Sequence, residues 1–165
     1  MQCIDNDGVV IHYESCGDAA RPALVFSNSL GTDLRIWDRV APAFEDSFFV
    51  IRYDKRGHGL SDAPPRPYRM DDHVADLIAL MNACRVSEAI ICGDSVGGLI
   101  AQAVAARDPA RVRALVLCDT AAKIGDAPTW NTRIAAAEQG GVEALADGTM
   151  ERWFTDGFRR DRSLE

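Results

Sequence analysis

The residues best suited to chemistry are Gly93-Asp94-Ser95-Val96-Gly97-Gly98, with Ser95 at their centre. A serine hydroxyl attacks an acyl carbon when it stands clear of the backbone beside amide donors that hold the developing oxyanion. The flanks suit that arrangement. Glu88-Ala89-Ile90-Ile91-Cys92 is a short apolar run that reads as a buried strand, and Leu99 to Arg107, rich in alanine and leucine and stopped by Pro109, reads as a helix. A turn this tight leaves no room for side chains beside the serine, so Gly93 and Gly97 sit where a Cβ would clash. The helix start supplies positive dipole and free N–H groups, with the Val96 amide as the first oxyanion donor. The competing reading is a structural serine in a glycine-rich turn.

A second donor requires another strand end beside the first. Ala23-Leu24-Val25-Phe26-Ser27 reads as a strand buried on both faces, and Asn28-Ser29-Leu30-Gly31-Thr32-Asp33 follows it directly. A small-residue loop there leaves backbone N–H groups free to face a crevice, and Leu30 is the expected donor. Read without chemistry, the same loop is a strand-to-helix turn capped by Thr32 or Asp33.

Other elements position these two loops. Asp5-Asn6-Asp7-Gly8 is turn chemistry before the strand Val9–Tyr13, which makes residues 1–15 a hairpin with His12 at its surface or edge. Leu34 to Phe44 carries Ile36, Val40 and Phe44 at helical spacing, with Trp37 beside them. Phe48–Tyr53 is the next buried strand. It runs into Asp54-Lys55-Arg56-Gly57-His58-Gly59-Leu60-Ser61-Asp62, a loop expected to fold on itself through Asp54, Arg56 and Ser61. His58 reads as part of that loop, with a catalytic base as the alternative. The helix Asp71–Cys84 places Val74, Leu77, Ile78 and Met81 on one face, and His73 falls in its first turn as a solvated residue. Val112–Cys118 reads as a further buried strand. Asp119 at its end is a turn residue or a carboxylate that orients a histidine.

This alternation predicts an α/β fold, a doubly wound, mostly parallel sheet with its site at the carboxyl edge. The pattern changes at Lys123, which divides a core over 1–122 from a partial helical lid over 123–165. Pro128–Glu138, Val142–Asp147 and Thr149–Phe154 read as short helices, with Trp130, Ile134, Trp153 and Phe154 as apolar faces and a frayed polar end from Arg159 to Glu165.

A net charge of −7 with no basic run excludes nucleic acid as a partner. Apolar stretches are too short to span a bilayer, and no signal peptide is visible at the N-terminus, so a cytoplasmic protein is expected. Five cysteines without a C-x-x-C pair read as reduced packing residues, not as a metal or disulfide framework. No metal or cofactor is expected.

Four stretches together carry a family resemblance. They are Ser27-Asn28-Ser29-Leu30-Gly31-Thr32, Tyr53-Asp54-Lys55-Arg56-Gly57-His58-Gly59-Leu60-Ser61-Asp62, Asp71-Asp72-His73-Val74-Ala75-Asp76-Leu77, and the elbow through Gln102. Leu117–Gly125 and Glu151–Thr155 extend it. The chain resembles the 3-oxoadipate enol-lactone hydrolases of the α/β-hydrolase superfamily. That resemblance implies Ser95 as nucleophile, the Leu30 and Val96 amides as oxyanion hole, a small lactone or ester as partner and no cofactor. Ser29 and Trp130 would line the substrate site, and Arg133 would meet the substrate's free carboxylate, unless it is a solvated helix arginine. Asp94 departs from the pattern by adding a carboxylate beside the serine.

The resemblance also implies an acid and a histidine after Ser95 in chain order. All three histidines, His12, His58 and His73, precede it. The expectation is the N-terminal part of such an enzyme, with the sheet incomplete at its C-terminal edge and with weak or no activity of its own. A general carboxylesterase, a carbon–carbon hydrolase of the same fold and a non-catalytic fragment that self-associates through an open sheet edge or the lid are the alternatives.

Overall fold

The structure is a computed structural model that describes residues 1–161; part of the expected frayed end, residues 162–165, lies outside them. The chain divides into two compact units, Met1–Ile124 and the residues from Gly125 onward.

The first unit is built on six strands: β1 (Gln2–Asn6), β2 (Val9–Cys16), β3 (Ala23–Ser27), β4 (Phe49–Tyr53), β5 (Ala89–Asp94) and β6 (Val112–Cys118). They lie in the order β1-β2-β4-β3-β5-β6. β1, β2 and β4 pair antiparallel, whereas β4, β3, β5 and β6 run parallel. Helix α1 (Met70–Ala83) leads into β5, and α2 (Val96–Arg107) leads out of it.

Every residue of β3 is buried, because both faces of the sheet are covered. Alternate side chains divide between two cores. Val25, Ile51 and Ile91 pack with Leu77, Leu80 and Met81 of α1 and Ile100, Ala101 and Val104 of α2. Leu24, Phe26, Val50 and Cys92 point the other way onto Trp37 and Ala41, and the Phe26 and Trp37 ring centroids lie 4.6 Å apart. β3 and β5 are neighbours in register, with Ser27 opposite Gly93, so their following loops leave the sheet side by side.

Two expected elements differ. The segment after β3 is not an α-helix but two 3-10 turns, Leu34–Trp37 and Ala41–Ala43. Pro42 has no N–H with which to continue a helix from the preceding turn. The buried positions are Leu34, Trp37 and Ala41, while Ile36 and Val40 are exposed, so the expected apolar face is rotated. Asp33 caps the first turn, accepting the Arg35 N–H at 2.9 Å. The other difference is β6, which is the sheet edge and not a buried strand. Among the described residues it pairs only with β5, and Val116 and Leu117 are exposed.

The second unit is helical: α3 (Ala127–Gly140), a 3-10 turn Val142–Leu145, α4 (Ala146–Trp153) and α5 (Asp156–Asp161). Residues 159–161, expected to be frayed, belong to α5. Asp126 caps α3 by accepting the Thr129 N–H at 2.9 Å. Among the described residues no helix is long and apolar enough to cross a membrane, and no group of His, Cys, Asp and Glu could hold a metal ion.

Candidate active site

Ser95 joins β5 directly to α2 in a backbone conformation that an L-residue adopts only under strain, φ 54° and ψ −114°. The strain is held in place from several sides. The Ser95 N–H donates to the Cys118 carbonyl of β6 at 2.9 Å, and its own carbonyl accepts from Gly98 N–H at 3.0 Å and from Thr120 Oγ1 at 2.7 Å. Both flanking glycines are sterically required. A Cβ on Gly93 would strike the Gly97 carbonyl, and one on Gly97 would strike the Ser27 carbonyl at the end of β3. A Cβ on Gly98 would lie 2.6 Å from Thr120 Cγ2.

The close approach of Gly97 to Ser27 and Asn28 brings the 28–33 loop against the start of α2. Among the described residues, no acceptor takes the N–H of Leu30 or of Val96. These are the two amides expected for the oxyanion hole, at adjoining strand ends. The loop is tied at its other atoms: Thr32 Oγ1 donates to the Ser29 carbonyl at 3.0 Å, and Asn28 Nδ2 donates to the Thr32 carbonyl.

Lys55 is a buried residue behind the 28–33 loop that sequence reasoning missed. It is 1% exposed, and its Nζ donates to the Asn28 carbonyl at 2.8 Å and the Ser29 carbonyl at 3.0 Å. Burial is the main cause of its lowered pKa, about 7, against which Asp54, Asp94 and Asp33 act. A lysine in a charged loop gives no sequence signal of burial, since this side chain is ordinarily solvated.

None of the three histidines hydrogen-bonds to the Ser95 hydroxyl. His12, expected at the surface, is buried, and its Nδ1 lies 2.8 Å from Asp54 Oδ2. The antiparallel pairing of β2 with β4 brings it against the loop that follows β4. His58 serves the loops: its Nε2 accepts the Gly31 N–H at 3.2 Å, and its Nδ1 donates to the Arg56 carbonyl at 3.1 Å. Burial, then the Lys55 charge, lowers its pKa, which keeps the ring neutral for that pair of bonds. His73, expected to be solvated, is half-buried edge-on to Tyr68, and burial drives its pKa down to about 4.

Asp54 and Ser61 close the loop on itself as expected, Ser61 Oγ donating to the Asp54 carbonyl at 2.6 Å, whereas the Arg56 side chain reaches out of the loop to α1. Asp54 accepts the Leu34 N–H at 2.8 Å and the Leu60 N–H at 2.9 Å, and Arg56 forms a bidentate pair with buried Asp76, 2.7 Å on each arm. Asp94 is half-buried, and its carboxyl is pushed above the usual range by burial and by Asp119, with Lys55 opposing. Asp119 is exposed at the strand end with φ 44°.

In the second unit, the Arg133 guanidinium stacks on the Trp130 ring, 4.7 Å from its centroid. Burial, then the Arg152 charge, lowers its pKa, and no carboxylate among the described residues pairs with it. Ile134, Trp153 and Phe154 are exposed.

A strained strand–serine–helix bend with two free amides at the carboxyl edge of the parallel part of the sheet defines the class. Residues 22–159 match the alpha/beta hydrolase fold family, and the chain belongs to it. It is 44% identical over 93% of its length to 3-oxoadipate enol-lactonase 2 of Acinetobacter baylyi, covering 57% of that protein, and 34% identical to 3-oxoadipate enol-lactonase 1 of the same organism, covering 58%. Its fold superposes on the enol-lactonase from Burkholderia xenovorans with a TM-score of 0.95 at 39% identity, spanning 99% of this chain and 64% of that one. The chain thus spans less than two thirds of the length of these relatives.

Proposed function

We propose that this chain carries the nucleophile and oxyanion half of a serine hydrolase acting on an enol-lactone of the 3-oxoadipate type. The single observation that carries the reading is the strained Ser95 bend with the free Val96 amide after it and Gly97 packed against the loop that carries the free Leu30 amide. The 44% identity to an enol-lactonase supports the substrate class.

In the proposed reaction the Ser95 oxygen attacks the lactone carbonyl carbon, and its proton passes to a base. The carbonyl π pair moves onto oxygen, where the two amides bind it. Collapse of the tetrahedral species breaks the ring C–O bond. The enolate leaves, takes a proton on carbon and becomes a ketone, and water then cleaves the acyl-serine. Within the helical unit, Arg133, its guanidinium held on Trp130, is the cation proposed for a substrate carboxylate, and in the first unit Ser29 is proposed as a substrate-lining residue.

None of the histidines present has the geometry of the base, and none follows His73 in the sequence. The chain alone is therefore proposed to turn over slowly, with a deficit on the order of 10⁴–10⁶ relative to a complete triad. A non-catalytic role has that one observation in its favour. Hydrolysis of the enol-lactone and of a p-nitrophenyl ester, each compared with Ser95→Ala, tests the reading. Slow Ser95-dependent turnover with preference for the lactone supports it. Turnover unchanged in Ser95→Ala overturns the nucleophile, and preference for the simple ester overturns the lactone.

A further inference from the structure

We propose that Lys55 is a positioning residue for the oxyanion hole: its buried ammonium holds the Asn28 and Ser29 carbonyls from behind and thereby aims and polarises the Leu30 amide. The inference rests on the proposed role of that amide in the serine reaction.

The geometry follows from the planarity of the peptide. In a trans peptide the C=O of one residue and the N–H of the next point in opposite directions. Lys55 Nζ lies 3.0 Å from the Ser29 carbonyl oxygen, and Thr32 Oγ1 donates to the same oxygen at 3.0 Å. With that oxygen fixed by two donors, the Leu30 N–H is directed away from Lys55. The bond to the Asn28 carbonyl, 2.8 Å, fixes the preceding peptide in the same way and sends the Ser29 N–H outward. His58 completes the anchorage by accepting the Gly31 N–H at 3.2 Å, so the peptides on either side of Leu30 are tied.

A charged donor on a carbonyl also draws electron density from its amide, which makes the N–H a stronger donor to an anion. Lys55 as a residue is 1% exposed, so water screens this effect little. No carboxylate lies within ion-pair distance of Lys55 among the described residues; its near bonds go to backbone carbonyls. A surface lysine adds charge anywhere, whereas this one spends its desolvation cost on two specific peptide units.

The test uses the chain itself with a fluorophosphonate, whose adduct on serine carries a tetrahedral P–O group that mimics the oxyanion intermediate. Lys55→Met keeps the side-chain stem and removes the charge. The expected result is Ser95 labelling slowed roughly 10- to 100-fold, with amide spectra otherwise those of the folded wild type. Equal labelling rates in folded Lys55→Met and wild type would overturn the positioning role. Failure of the nucleophile assignment looks different, since wild type would then show no labelling dependent on Ser95.

A second measurement covers a variant that does not fold. In the wild type, the Leu30 and Ser29 amide protons are followed by NMR together with Lys55 Nζ through its titration near pH 7. Asp33, Asp54, Asp94, His58 and His73 also face this lysine and are followed in parallel. The Leu30 amide should shift with the Lys55 midpoint, and a Leu30 resonance that ignores it contradicts the proposal.

Discussion

Asp54 shows how much of the site depends on a single buried carboxylate. One oxygen accepts the Leu34 N–H, the other takes His12 and the Leu60 N–H, and three separate stretches meet there. Replacing it by alanine leaves a buried imidazole and two amides unpartnered, at an expected cost of about 3–5 kcal/mol in urea unfolding; a loss below ~1 kcal/mol would contradict this account. His73 makes a prediction in pH. Its folded pKa of about 4 lies below the ordinary 6.5, so the unfolded chain binds more protons between those values. The stability it contributes is present above pH 6.5 and is lost as pH falls toward 4. His73→Gln should flatten that part of the stability-versus-pH curve, and an unchanged slope contradicts the burial. At this scale, sequence legibility depends on geometry. Gly93 and Gly97 are readable because a tight turn admits nothing else. Lys55 and His12 are not, because their burial comes from strand pairings and loops distant in sequence.

Among the elements, the β5–Ser95–α2 bend carries the most constraint. Gly97→Ala would drive a methyl into the Ser27 carbonyl and separate the two loops that hold the free amides. The expected outcome is loss of folded protein, or a stability loss of about 3 kcal/mol or more with Ser95 labelling abolished. Unaltered stability and labelling would show that the close approach is not required. The buried strands were legible because a sheet covered on both faces demands continuous apolar runs, as β3 and β5 show. Leu34–Phe44 was misread since its apolar spacing fits a helix, while Pro42 and the Asp33 cap divide it into short turns. β6 differs from its expectation because its composition, Val112 to Cys118, is that of an interior strand although it lies at the edge among the described residues.

For the molecule as a whole, a net charge of −7 would offer the proposed anionic substrate no general attraction, so the proposal assigns recognition of a carboxylate to a local cation. Arg133, partly desolvated on Trp130, is the proposed one. Arg133→Met should raise KM for the lactone about tenfold or more while leaving a neutral p-nitrophenyl ester unaffected; equal effects on both substrates would remove Arg133 from that role. The family was legible in its loops, and family membership covers residues 22–159. A base for the proposed nucleophile was not, since His12 and His58 are engaged with Asp54 and with the Gly31 amide.

Among the described residues, Ser95 is the one serine held in a strained left-handed bend, at the start of α2 where the Val96 amide is free. Peptide mapping by mass spectrometry after exposure of the chain to a fluorophosphonate tests its proposed role directly. Even without a base, oxyanion donors alone retain a rate advantage on the order of 10³-fold. A single slow adduct on Ser95, absent in Ser95→Ala, is the predicted result. Adducts spread over several serines, or none on Ser95, would contradict the account.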